Sequence, residues 1–233
     1  MATQRPYRAR LIPKGELLPA LEPPYNDTYP VLLQDGSCLE LPLQPFSDGQ
    51  VAIALLMSNQ TSFVVEQGLA PLLGKLAAAF APQAIVGIPT LGLDYARLVA
   101  QQLQLPHYTA LGNSRKFWYE DALSVPVESI TSPGVTKRLY LDPGLVDRVA
   151  GKRTVIVDDV INTGGTASAA IQLLRQARAE VVGLVVVLTE GHDWKMRLQA
   201  ITFDWQDALQ AVGHIPLFQR TEAGWIPIAE TLD

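Results

Sequence analysis

The stretch that most restricts what this chain can fold into is TVIVDDVINTGGTASAA, residues 154–170. Val155 to Val157 form a short apolar run of the kind that fills a sheet covered on both faces. Alternation along the extended chain then sends the side chains of Asp158 and Asp159 in different directions at the carboxyl end of that run. Asn162, Thr163, Gly164, Gly165 and Thr166 turn the chain, and helical spacing follows from about Thr166 to Arg178. Glycines let several backbone N–H groups converge on one point, the threonines add hydroxyls, and a helix start adds partial positive charge, which together suit a phosphate. An acid pair standing alone caps a helix or is simply solvated. An acid pair followed at once by a phosphate cradle suits a ligand with a monoester at one end and hydroxyls, or a metal ion, close by.

The flanking sequence repeats the same grammar. Ala84 to Ile88 is a buried-strand run, Pro89 to Gly92 a turn, and Leu93 to Leu103 helical in period. PHYTAL and VVGLVVVL supply further apolar strands, and VTKRLYLD alternates as a half-buried strand does. Phe63 to Phe80 has helical spacing with Ser62 placed to cap it. Strands alternating with helices predict an α/β protein, a Rossmann-like and mostly parallel sheet flanked by helices, with its ligand at the carboxyl ends of the strands. Between Gly112 and Gly134 neither period holds, and an aperiodic stretch of that length inside a compact domain usually has a function. YPVLLQDGSCLELPL predicts a hairpin at Asp35-Gly36, and HIPLFQRTEAGWIPI another near the end. The expected organisation is an N-terminal extension over 1–60, a ligand-binding core over 61–190, and a C-terminal segment over 191–233 that joins the first in a small hood.

The segment VIVDDVINTGGT resembles the phosphoribosyl pyrophosphate (PRPP) motif of type I phosphoribosyltransferases, purine type. Neither a GxxxxGK[ST] loop nor a GxGxxG after a strand competes with it. The resemblance implies the type I phosphoribosyltransferase fold and transfer of the 5-phosphoribosyl group of PRPP to a purine-like base, with release of pyrophosphate. It implies that Asp158 and Asp159 hold the ribose hydroxyls and, directly or through water, Mg²⁺, and that Asn162 to Thr166 grip the 5-phosphate. Val160 and Ile161 would form an apolar wall beside the base, unless they are core residues.

VGIPTLGLDYA falls where the family places its pyrophosphate loop, which implies contacts from the backbone of Thr90, Leu91 and Gly92; Leu91 stands where adenine phosphoribosyltransferases carry an arginine. Arg115 and Lys116 in SRKFWYED resemble the arginine-lysine pair that opens the mobile loop of adenine and xanthine phosphoribosyltransferases, where they would add positive charge as pyrophosphate leaves. Ser132 occupies the place of a glutamate in the adenine enzymes, with Glu128 as a substitute acid. LTEGHDWKMRL brings Glu190, His192, Asp193 and Trp194 near the base pocket, with Trp194 against the base or in the core. The aromatic run Phe117, Trp118 and Tyr119 is read as a loop anchor or an oligomer contact.

Composition narrows the partners. Eighteen basic against twenty-three acidic residues give a formal net charge of -5, with no basic run to match a nucleic-acid backbone. No stretch has the apolar length of a membrane span or a secretory leader. A single cysteine, Cys38, suits a buried small hydrophobe in a reducing compartment. The expectation is a cytoplasmic homodimer that binds PRPP and a nucleobase, not nucleic acid or membrane. The alternative is a protein of the same fold that senses PRPP or a nucleotide without catalysis.

Overall fold

The computed structural model describes residues 7–127 and 137–232. Four strands come first: β1 (Arg10–Ile12), β2 (Thr28–Leu32), β3 (Cys38–Pro45) and β4 (Val51–Ala54). β2 and β3 pair antiparallel across Gly36, whose φ of 86° is the left-handed conformation that the Asp-Gly turn foretold. β12 (Leu217–Thr221) and β13 (Gly224–Pro227) form the second expected hairpin. Both ends of the chain meet in one antiparallel sheet of order β1-β3-β4-β12-β13, with β2 on β3. This is the hood, and Cys38 is buried in it.

The core is a five-stranded parallel sheet of order β11-β10-β9-β5-β6. It is built from β5 (Ala84–Gly87), β6 (Thr109–Ala110), β9 (Arg153–Ile161), β10 (Glu180–Glu190) and β11 (Leu209–Ile215). Helices α1 (Phe63–Ala78) and α2 (Gly92–Gln102) cover one face; α3 (Gly165–Gln176) and α4 (Asp193–Ala200) cover the other. The Ser62 side chain accepts from the Val65 N–H and so caps α1 as its position predicts. Period-two alternation sorts the strand residues between the faces. Val155 and Val157 pack with Leu69, Leu73 and Val99, whereas Ile156 packs with Ile171 and Leu174. Phe218 and Trp225 of the hood join the first cluster, so hood and sheet share a core.

Three elements differ from expectation. Leu209–Ile215, inside the segment expected to belong to the hood, is the edge strand β11 of the parallel sheet, reached from α4 through α5 (Trp205–Ala208). Its burial is intermediate along most of its length, as befits an edge, and it therefore carries no continuous apolar signal. Lys137–Tyr140 (β8) is not a core strand but pairs antiparallel with β7 (Ser124–Val127) in a separate ribbon that packs on α3. Finally, β9 runs on through both acids to Ile161 instead of ending before them. Among the described residues, no helix is long and apolar enough to cross a membrane.

Candidate functional site

In chain order the parallel strands run β5, β6, β9, β10, β11, but in space β6 and β9 flank β5. The winding therefore reverses between β5 and β9, and such a reversal opens a crevice at the carboxyl ends of the two strands. Pairing shows where it opens. β5 follows β9 only to the Gly87–Val157 pair, while β10 stays paired with β9 as far as Ile161. Asp158 and Asp159 thus have a strand on one side and, on the other, the point where the chain after β5 turns away into α2.

That turn lies directly on the acids. A Cβ at Gly92 would come within 2.6 Å of Asp158 Oδ1 and 2.8 Å of Asp158 Cα, so the first residue of α2 has room only for glycine. The Ser58 hydroxyl donates to the Leu91 carbonyl at 2.6 Å, and Asn113 Nδ2 donates to Thr90 Oγ1 at 3.5 Å, which fixes the turn from both flanks. The proposed pyrophosphate loop and the acid pair are therefore one structure.

The carboxylates themselves are 9% and 8% exposed, and the Asp159 backbone N–H donates to Asp158 Oδ1 at 3.0 Å. Burial, reinforced by the neighbouring Asp159 charge, pushes Asp158 well above the usual carboxylate range; burial raises Asp159 as well. Tyr95, fully buried on α2, lies within the field of Asp159: burial, and then that charge, raise its hydroxyl. Two buried acids held this close disfavour their own joint ionisation, and a divalent cation or a pair of hydroxyl donors would relieve it. Among the described residues no three His, Cys, Asp or Glu side chains gather as a metal cage. Two acids suit an ion that keeps waters and takes its other oxygens from a phosphorylated ligand, as Mg²⁺ does.

Beyond the acids, Gly164 adopts φ 74° and α3 starts at Gly165 with no acidic residue in its first turn. The free N–H groups and positive end of α3 are therefore unopposed. A Cβ on Gly164 would come within 3.1 Å of Trp194 Cα, so α4 supports the loop from behind. Trp194 itself is 4% exposed, donates from Nε1 to the Gly191 carbonyl at 2.9 Å and meets Trp205 edge to face. Of the two roles its position allowed, the ring fills the core beneath the loop and has no face left for a base. Ile161 is likewise buried in the α3 cluster, while Val160 is half-buried on the opposite face.

Arg115 and Lys116 lie in the exposed stretch that follows Asn113, and Arg115 is ion-paired with Asp121 rather than directed onto the acids. Phe117 is 97% exposed; Trp118 donates from Nε1 to Asp142 at 3.0 Å, and Tyr119 packs on Tyr140. Two of these three aromatics thus tie the loop to the end of β8. Glu128 and Ser132 fall outside the described residues. A groove of about 630 Å³ runs along β11, lined among others by Tyr29, Gln34 and His214, but the acid pair is not part of it.

One contact at the site was not foreseen in its present role. Asn162 Nδ2 donates to Glu190 Oε2, joining the first residue of the glycine corner to the last residue of β10. The sheet register could have announced it: Thr189 pairs with Ile161, so the next residue on each strand is a neighbour. Glu190 is 5% exposed, burial pushes its carboxyl up to about 7, and its Oε1 has no hydrogen-bond partner.

A carboxylate pair at the switch point of a doubly wound sheet, flanked by a glycine-tight turn and a helix N-terminus, defines an α/β protein whose crevice suits a phosphorylated ligand. The phosphoribosyl transferase domain model matches residues 65–215, and the chain belongs to that family. It is 40% identical over 135 residues to an adenine phosphoribosyltransferase of Erythrobacter litoralis, covering 57% of this chain and 72% of that protein. A hypoxanthine/guanine phosphoribosyltransferase of Methanococcus voltae is 34% identical over 118 residues, 51% of this chain and 58% of its own length. With an adenine phosphoribosyltransferase of Streptomyces galbus the match is 62% identical but spans 45 residues, 19% of this chain and 25% of that one. In fold, the chain is similar to the adenine phosphoribosyltransferase of Giardia lamblia complexed with 9-deazaadenine, at TM-score 0.52 and 18% identity, covering 66% and 81% of the two chains.

Proposed function

We propose that this protein transfers the 5-phosphoribosyl group of PRPP to a ring nitrogen of a purine base, adenine first, and releases pyrophosphate. The observation that carries the reading is the meeting of three features at one strand end: Asp158 and Asp159, the turn at Gly92 pressed against them, and the glycine corner opening α3. The choice of adenine rests on the Erythrobacter relative, the longest of the three sequence matches described above.

Asp158 and Asp159 accept hydrogen bonds from the ribose hydroxyls and would hold Mg²⁺, directly or through water. Such an ion, when bound, would supply positive charge against the diphosphate. Backbone N–H groups of Thr90, Leu91 and Gly92 receive that diphosphate, and residues 162–166 with the N-terminus of α3 hold the 5-phosphate. With both phosphate ends fixed, the sugar carbon C1 is presented to the base. The base nitrogen forms its bond to C1 as the C1–O bond to diphosphate breaks, and the nitrogen's proton leaves. The protein contributes position and charge stabilisation rather than a nucleophile. Arg115 and Lys116 would act once turned inward from the exposed loop, adding positive charge where pyrophosphate departs and closing out water.

The test is incubation with PRPP, Mg²⁺ and a panel of purine and pyrimidine bases, reading nucleotide and pyrophosphate. Adenine is expected to give AMP, and the double substitution Asp158→Asn, Asp159→Asn to abolish it with the fold intact. Turnover that survives this double substitution refutes the assignment of the acids, and absence of product from every base refutes the activity.

A further inference from the structure

We infer that Glu190 is a positioning residue for the 5-phosphate corner, acting through Asn162. The inference rests on the phosphate-loop reading above and adds a residue from outside that loop. Three observations support it. The Glu190 carboxylate is buried at the end of β10 and accepts the Asn162 amide hydrogen, while the backbone at Asn162 lies at the exposed start of the corner. An exposed asparagine amide could be satisfied by water at almost no cost, so the protein gains little stability by burying a carboxylate to receive it. The other carboxylate oxygen, Oε1, is buried without a partner, which is a net expense to the fold. A group that is costly to keep, and whose one bond reaches a ligand loop, fits a role in the geometry of that loop.

The placement has a simple origin. Parallel pairing of Thr189 with Ile161 sets Glu190 beside residue 162, and four residues later Trp194 closes on Gly164. The segment 190–194 therefore holds the corner at two points two residues apart. One is a hydrogen bond at its entry and the other is a backbone contact at the left-handed glycine. Asn162 fixes where the chain leaves β9, and hence where the N–H groups of residues 163–166 point.

The experiment compares wild type with Glu190→Ala, Glu190→Gln, Asn162→Ala and the Glu190→Ala, Asn162→Ala pair. It measures PRPP binding by titration calorimetry, steady-state kinetics with adenine, and thermal melting for folding. Glu190→Ala is expected to raise the KM and Kd for PRPP about tenfold, the loss expected for one hydrogen bond to a charged group. The kcat and the KM for adenine should stay within about threefold, because the loop binds a part of PRPP distant from the reacting bond. Glu190→Gln keeps a carbonyl oxygen to accept from Asn162 and should retain most of the affinity. The double variant should be no worse than the weaker single one, since both remove the same bond. Unchanged PRPP affinity in a folded Glu190→Ala, or an equal loss in Glu190→Gln, overturns the inference. Should Glu190→Ala not fold, Glu190→Asp, which keeps the carboxylate but draws it back from Asn162, takes its place with the same expected and overturning results. Wild-type protein that binds no PRPP would overturn the phosphate-loop reading itself, and the positioning role with it.

Discussion

Replacing Glu190 by glutamine should change how stability depends on pH, and the size of the change follows from the site. Burial lifts the Glu190 carboxyl from its ordinary 4.5 to about 7, against the opposing effect of the Asn162 hydrogen bond. In the unfolded chain the same group loses its proton near 4.5. Between these values the folded protein holds the proton and the unfolded chain does not, so stability falls as pH rises through the window. Below about 4.5 the contribution is fully present, and above about 7 it has been lost. A shift of this size corresponds to about 3 kcal/mol, at 1.36 kcal/mol per pKa unit. Glutamine has no proton to lose, so its stability lacks this slope. Urea unfolding of both proteins across about pH 4.5 to 8.5 reads the effect. The difference in unfolding free energy, Glu190→Gln minus wild type, should grow by about 3 kcal/mol towards alkaline pH, with most of the growth between the two pKa values. The titration of Asp158 and Asp159 is common to both proteins and cancels in the subtraction. A difference independent of pH would show that the carboxylate is solvated and would remove the physical basis for its raised pKa.

The remaining predictions concern the acid pair and the two glycines. Asp158→Asn should stabilise the ligand-free protein by about 1–2 kcal/mol near pH 8 while abolishing transfer, because it removes one of two buried charges whose pKa values are both raised. The sign follows from the raised pKa: the penalty grows as pH rises, so the gain should shrink in melts at about pH 4. Gly92→Ala places a Cβ 2.6 Å from Asp158 Oδ1 and 2.9 Å from the Val157 carbonyl. Since backbone must move to admit it, a loss of about 1–3 kcal/mol in unfolding free energy and a fall in kcat are expected. Gly164→Ala meets both a φ of 74° and the Trp194 backbone. It should cost about 1–2 kcal/mol and raise the KM for PRPP, read by chemical unfolding and initial rates.

The strand end, the turn after β5 and the glycine corner were legible because local patterns set them. The apolar run Val155–Val157 dictated a buried strand, the glycines dictated the corner, and the two acids could lie nowhere but at the crevice. Ser62 at the head of α1 and Asp35-Gly36 in the first hairpin were readable for the same reason, since a cap or a tight turn is decided by residues a few positions apart. What escaped depended on contacts between distant segments. Edge strand β11 carries polar and half-buried residues because one flank faces no strand, so it offered no strand signal. β8 alternates like a core strand, yet its partner is the nearby β7, and periodicity alone does not name a partner. Trp194 could have faced a base or the core, and no local pattern decides between the two. Its ring lies in the core, donating to the Gly191 carbonyl and set edge to face against Trp205, a contact made across ten residues of chain.

The same division explains why the two halves of the reaction differ in what they require of the chain. In the proposed reading, PRPP is held by backbone N–H groups, two carboxylates and a helix end, and these follow from strand pairing at one switch point. The proposed reading leaves recognition of the base to segments outside that frame, the loop after Asn113 and the chain beyond Glu190. These two segments meet that frame at Thr90, through Asn113, and at the glycine corner, through Glu190 on Asn162 and Trp194 against Gly164. A change in either segment that alters base choice therefore also alters the grip on PRPP, and variants selected for a new base should first show their cost in the KM for PRPP.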